Sequence, residues 1–437
     1  MGRVAVSAHR ASTSGHLFGH RSGHSYGNLV EHMLTILFAG KHLSMTSPRT
    51  YERTHPWLKF EAVLRSARPE FWMTLGECQS KCEHIAGVPL QPSTASELHR
   101  LYLAKGVLAT TAIEGNTLTE EQVLQHLEGK LELPRSREYL KREIENVITA
   151  CNQIVKEINS NSPPQLTPQR IVELNRTVLD NLTLEEGIVA GEIRKTSVGV
   201  ARYRGAPPED CDYLLERLCN WLAGEDFKAK PGREISFAIL KAILAHLYVA
   251  WIHPFGDGNG RTARLVEFQI LICSGVPAPA AHLLSNHYNA ARTEYYRQLD
   301  LASRSGGDVL PFLNYALEGF LDGLKAQLQV IRKQQWDVAW ENYVHGSFTN
   351  RTSPSEKRRR DLVLDLSKQE HPVTVAELST ISPNIAAAYA RKTEKTLARD
   401  AAALINMGLL RRTREGKVEA NKNLILAFLP KRAQTKR

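Results

Sequence analysis

Twelve residues from His253 to Arg264, His-Pro-Phe-Gly-Asp-Gly-Asn-Gly-Arg-Thr-Ala-Arg, bring together an imidazole, a carboxylate, small turn-forming residues and two guanidinium groups. A neutral imidazole with a pKa near 6.5 can take a proton from a hydroxyl at neutral pH. Backbone amides of a glycine-rich turn that feeds a helix point outward together, and Gly258, Asn259 and Gly260 suit such an anion cradle. Asp257 could hold a divalent cation shared with phosphates, because hard cations take carboxylate and phosphate oxygens. Arg261 and Arg264, three positions apart, share a helical face and can reach one polyphosphate. Positive charge in a first helical turn opposes the macrodipole by about 0.3 to 1 kcal/mol per residue, so these arginines call for an anion or a carboxylate beside them. The expected chemistry is phosphate handling, with His253 as the base.

The elements around this loop must hold it open at one edge of a core. Ile235 to Ile252 is nearly apolar all round, interrupted by Lys241 and His246, and reads as a central core helix rather than a membrane span. Pro254 disfavours helical geometry in the residue before it, so that helix should end near His253. His246 reads as a hydrogen-bonded core group; a metal pair with His282 or His287 lacks a carboxylate at regular spacing. Upstream, Leu98, Leu101, Tyr102 and Leu108 follow a helical period that ends near Glu114-Gly115-Asn116. Thr119 is expected to cap the next helix in a box with Gln122, and a long helix follows Glu138. Gly191 to Arg204 reads as a short hairpin, His84 to Pro92 as a loop and Gly346 to Arg360 as a linker.

The 437 residues, 42% hydrophobic, can bury at least one large core and favour two or three domains. Six scattered cysteines lack zinc-knuckle pairing and the density of a secreted scaffold, which points to a reducing, cytoplasmic setting. Met33 to Ala39 is too short an apolar run for a secretory segment, and residues 1–44 read as a flexible extension. The net charge of +10 is uneven, since residues 351–437 carry 19 Lys and Arg against 9 Asp and Glu. This last part reads as helices over 361–368, 375–378 and 386–407 followed by a basic hairpin tip at Arg411 to Lys417, a winged-helix arrangement. Arg391, Lys392, Lys395 and Arg399 favour DNA there. The alanines at 386–388 and 401–403 equally suit a dimer or a protein-docking surface.

The stretch from His253 to Arg264 resembles the full Fic signature, His-x-Phe-x-Asp/Glu-Gly-Asn-Gly-Arg-x-x-Arg, without a departure. Asn175 to Phe320 is similar to the family in order, through Gly191 to Arg194, Pro207-Pro208, His246 and Tyr295-Tyr296. The resemblance implies a mainly α fold, with a Fic-type helical core, a short β-hairpin flap and an appended C-terminal winged helix-turn-helix domain. It implies transfer of AMP from ATP, with magnesium, to a Tyr, Thr or Ser hydroxyl of a target protein or of the chain itself. It makes His253 the general base, Phe255 the inward anchor of the loop and Asp257 the magnesium ligand. Gly258, Asn259 and Gly260 become the anion cradle, Arg261 and Arg264 the phosphate-holding arginines, and Ile193 to Tyr203 the flap that aligns the target's main chain. Thr110-Thr111-Ala112-Ile113-Glu114-Gly115-Asn116 resembles the family's inhibitory motif, Ser/Thr-x-x-x-Glu-Gly/Asn, and Glu114 would act by pairing with Arg264.

On this reading the chain runs from an extension (1–44) through a helical region with the inhibitory helix (45–165) to the core and following helices (166–345). A linker (346–360) and a winged-helix-like module (361–437) complete it. The expected partners are a hydroxyl-bearing target protein, DNA or protein at the last module, and a second copy of the chain, with no membrane. Rival readings are phosphorylation or removal of AMP on the same core, and a nucleotide-sensing DNA-binding regulator without turnover.

Overall fold

The computed structural model describes residues 48–160, 163–200 and 203–425. The expected extension over 1–44 and the end of the chain beyond 425 lie outside them. The described elements are α1 (Thr50–Thr54), α2 (Pro69–Gly87), α3 (Pro92–Ala112), α4 (Glu120–Leu127), α5 (Glu138–Asn159) and α6 (Pro168–Val178). A two-stranded antiparallel hairpin, β1 (Gly199–Val200) and β2 (Tyr203–Arg204), comes next. Then follow α7 (Cys211–Ala223), α8 (Glu234–Ile252), α9 (Asn259–Cys273), α10 (Ala278–Ala281), α11 (Leu283–Ala290), α12 (Arg292–Arg304) and α13 (Leu310–Ser347). Beyond them lie α14 (Pro354–Leu366), α15 (Pro383–Tyr389), α16 (Glu394–Asn406) and the hairpin β3 (Leu410–Arg412) with β4 (Val418–Ala420).

Helix α8 is the axis. It is long and apolar enough to cross a membrane by length and composition, but 83% of its apolar window is buried inside the protein. Ile239, Ile243, Leu244, Leu247 and Val249 are wholly buried because α9 lies along one side while α7 and α2 cover others. Each such side chain contributes about 1.5–3 kcal/mol on burial, so a helix apolar all round is stable only at the centre.

Local signals act where they were expected. Thr119 Oγ1 accepts from the Gln122 amide at 3.2 Å and Gln122 Oε1 accepts from the Thr119 amide at 3.0 Å, which closes the capping box. Three readings need correction. His84 to Gly87 continue α2, because Cys78, Cys82 and Ile85 keep one buried face in register, and only residues 88–91 form the loop. The helix expected over 386–407 is two helices, since Thr393 leaves helical geometry at ψ 156° between α15 and α16. The segment 346–360 is mostly helical: α13 runs to Ser347 and α14 begins at Pro354, with Ser353 Oγ accepting from the Glu356 amide at 3.3 Å.

Helix α13 also belongs to two cores. Phe312, Phe320 and Leu324 pack into the main one, whereas Trp340 and Val344 pack with Leu362, Leu378, Leu404 and Val418 in a second. The last core therefore starts inside a continuous 38-residue helix.

Candidate active site

The chain leaves α8 through His253 in left-handed geometry, φ 51° and ψ 58°, which costs a non-glycine residue about 1–2 kcal/mol. The His253 amide donates to the Val249 carbonyl at 2.9 Å, and Arg194 Nε donates to the His253 carbonyl at 2.7 Å. The Arg194 guanidinium also donates to the carbonyls of Thr196 and Ala206, so one side chain ties the loop, the hairpin approach and the end of α8 together. His253 Nδ1 lies 3.3 Å from the Ala250 carbonyl. With Nδ1 as the donor, Nε2 keeps its lone pair, the form a base requires. Burial is the main reason the imidazole's pKa is pushed down to about 4, with nearby Arg194 adding to it; the Ala250 carbonyl works the other way.

Phe255 is 1% exposed and bridges to Ile193. Asn259, 3% exposed, braces it from both directions: Oδ1 accepts from the Phe255 amide at 2.9 Å and Nδ2 donates to the Phe255 carbonyl at 2.8 Å. Sequence reasoning assigned the Asn259 backbone to an anion cradle; that backbone opens α9, while the side chain is committed to the loop. That helix starts with Gly258 at φ +75°, where a side chain would also press on Asn175 Nδ2 and Leu179. Asn175 Nδ2 donates to the Asp257 carbonyl at 2.9 Å and to Thr262 Oγ1 at 3.2 Å, while its Oδ1 accepts from the Gly191 amide at 3.0 Å.

Arg264 is 2% exposed. Its Nη2 donates to the Thr110 carbonyl at 2.8 Å and to Glu114 Oε1 at 2.5 Å. Glu114 sits in the turn just after α3, not within it. A Cβ at Gly260 would overlap Glu114 Oε1, so the carboxylate lies directly on the glycine of the cradle. Burial alone would raise the Glu114 pKa, but Arg264, and then Arg261 and His253, bring it below its ordinary value. Arg264 is likewise held charged: burial works against it and Glu114 more than compensates. Arg261 donates to Glu143 Oε1 at 3.3 Å and Asp257 Oδ1 at 3.2 Å. Glu143 in turn accepts from Asn116 Nδ2 at 2.8 Å, which joins the turn after α3 to the first turn of α9. Both arginines thus have the carboxylates that their position demanded.

His253, Glu114 and Gly260 line one cavity of about 630 Å³, with Tyr203, Tyr295, Tyr296 and Leu299 among its other walls. The residues fit a bound polyphosphate in one respect. Buried Arg264 Nε and Nη1 and Arg261 Nε have no hydrogen-bond partner among the described residues, and unsatisfied buried donors are costly. Asp257 has a side chain 49% exposed, with Oδ1 used by Arg261 and the Gly258 amide and Oδ2 left over. Among the described residues no group of three or more His, Cys, Asp or Glu could hold a metal ion. A cation at Asp257 would therefore draw its other oxygens from phosphate and water. His246 is a core group: its Nε2 lies 2.8 Å from the Tyr295 hydroxyl.

The structure brings His253, Gly260, Arg264 and Glu114 together. Sequence reasoning gave no role to Asn175, Glu143 or Thr262. Asn175 had a detectable signal, since it falls on the apolar register of α6 with Ile171, Leu174 and Val178. A buried polar residue at such a position needs partners.

Residues 165–271 match the Fic/DOC family. The chain is 30% identical over 276 residues to Protein adenylyltransferase fic-1 of Caenorhabditis briggsae, covering 61% of this chain and 49% of that protein. It is 32% identical over 231 residues to Protein adenylyltransferase fic-1 of Caenorhabditis elegans, covering 52% and 41%. The matched stretches span about half or less of those relatives. The solved structure of Fic-1 (aa134 - 508) from C. elegans superposes with a TM-score of 0.50 at 25% identity, over 61% of this chain and 74% of that one.

Proposed function

We propose, on the premise that residues 165–271 belong to the Fic/DOC family, that this chain moves AMP from ATP to a Tyr, Thr or Ser hydroxyl of a protein, itself included, and that Glu114 holds the reaction off. The observation that carries the reading is the position of Glu114, whose carboxylate touches Gly260 and Arg264 Nη2 at once. An anion there occupies the donors that a terminal phosphate needs.

In the transfer, the hydroxyl oxygen bonds to the α-phosphorus of ATP, the bond from that phosphorus to the bridging oxygen breaks, and pyrophosphate leaves. His253 Nε2 takes the hydroxyl proton, and the backbone of Gly258 to Gly260 with Arg261 and Arg264 holds the phosphates in line. Asp257 would hold magnesium, which when bound offsets phosphate charge. The hairpin β1–β2 lies beside the base, with the Tyr203 hydroxyl donating to the Trp251 carbonyl at 2.6 Å, and offers an edge along which the target's main chain can add.

The test is to incubate a Glu114→Gly variant with labelled ATP, magnesium and lysate and to weigh the labelled proteins. An AMP adduct supports the reading. A phosphate adduct, or only loss of AMP from a labelled target, supports the rival chemistries, and no labelling by a folded variant overturns it.

A further inference from the structure

The last core, around Trp340, Leu362, Leu404 and Val418, divides its basic residues into two sets. Asp400, 1% exposed, accepts from Arg358 at 2.9 and 2.7 Å and from Arg359 at 2.8 Å; Arg360 pairs with Asp361, Arg411 with Glu419 and Lys417 with Glu415. The side chains of Arg391, Lys392, Lys395, Arg399, Arg412 and Arg414, and of Lys357 on α14, are all exposed. No ion pair or hydrogen bond to another described residue engages them.

The second set is ordered by the fold. Lys395 and Arg399 are one turn apart on α16, and Ala398, Ala402 and Asn406 extend their exposed face, while Leu397, Ala401 and Leu404 are buried behind it. A face with charge in its first turns and small side chains after them lets the helix axis approach a groove closely. Helix α16 is also held in place, because Asp400 joins it to the arginines of α14 and accepts from the Tyr389 hydroxyl of α15 at 3.0 Å. The β3–β4 hairpin packs on α16 and carries Arg412 at its end and Arg414 in its turn. Glu394 and Glu415 are the opposing charges beside this set.

We propose that this face binds double-stranded DNA, with α16 in the major groove and the hairpin against the flanking backbone. Lys395 and Arg399 reach phosphates and base edges, Asn406 can reach a base edge further along, and Arg412 and Arg414 neutralise neighbouring phosphates. B-form DNA fits better than duplex RNA, whose major groove is too narrow for a helix.

The experiment uses the full chain and a fluorescein-labelled random duplex of about 30 base pairs, titrated by anisotropy from about 50 to 200 mM salt. Four phosphate contacts predict a log–log salt slope of about −3.6 and a loss of roughly a hundredfold in affinity over that range. A Lys395→Glu, Arg399→Glu double variant, shown folded by circular dichroism, should bind at least tenfold more weakly with a slope flatter by about two. Duplex RNA of the same sequence should bind more weakly than DNA. Absence of saturable DNA binding at the lowest salt, unchanged affinity in the folded double variant, or preference for duplex RNA overturns the proposal. A protein captured through this face without DNA binding falls under the first of these outcomes.

Discussion

Glu114 Oε1 lies 2.5 Å from Arg264 Nη2, although 150 positions separate the two residues. The same oxygen rests on Gly260, so one carboxylate covers that glycine and neutralises the guanidinium behind it. Replacing Glu114 by Gly frees both. A charge-assisted bond of this kind is worth about 1.5–3 kcal/mol, so AMP transfer at fixed ATP should rise roughly tenfold or more. Adding Arg264→Ala should abolish the gain. The inhibitory role fails if the folded single variant is no faster than the parent, or if the gain survives without Arg264.

Gly260→Ala separates the two contacts. Its Cβ would overlap Glu114 Oε1 and should push the carboxylate away from Arg264. The same Cβ then crowds the space that a phosphate oxygen would take, so displacement should not activate. ATP binding, followed by calorimetry, should stay weak in Gly260→Ala and in the Glu114→Gly, Gly260→Ala pair, and become strong in Glu114→Gly alone. Strong binding by the pair would show that phosphate does not use this cradle.

On the proposed mechanism, in which the imidazole moves a proton while other groups hold phosphate, His253→Ala should cost about 10²- to 10⁴-fold in transfer and leave nucleotide affinity within a few fold. Activity within twofold of the parent would remove His253 from that role.

The depressed pKa of His253 also enters stability. The unfolded chain takes up this proton near 6.5 and the folded protein only near about 4. The contribution is therefore fully present above about pH 6.5 and is lost as pH falls toward 4. Urea unfolding at several pH values should show this acid-side loss in the parent and a smaller loss in His253→Asn. Identical pH dependence in the two proteins would contradict an imidazole held neutral by the fold.

Asn259 gives a different readout. Its two bonds to the Phe255 backbone lie in a buried loop, and removing them leaves an amide and a carbonyl unsatisfied at about 1–3 kcal/mol each. Asn259→Ala should lower the urea midpoint in the absence of nucleotide. A variant of unchanged stability that only binds ATP more weakly would assign the side chain to the phosphate instead.

The amino-acid sequence by itself determined the local punctuation of the fold. Pro254 ends α8, Thr119 and Gln122 close the cap of α4, and the glycines around residues 187–205 bound a hairpin, because each acts through neighbouring dihedral angles and nearby backbone groups. It also placed His253, Gly258 to Gly260 and both arginines in one short stretch and pointed to Glu114 as the partner of Arg264. Tertiary structure alone decided where competing partners went. Asn259 turned inward to Phe255, Glu143 joined Asn116 to Arg261, and Asn175 linked Asp257, Thr262 and Gly191 across 82, 87 and 16 positions. Burial of Ile85 likewise carried α2 through His84 to Gly87. Helix ends and polar side chains near a core are settled by which unsatisfied groups the packed helices bring within hydrogen-bond reach, and that distance exists only after the chain has folded.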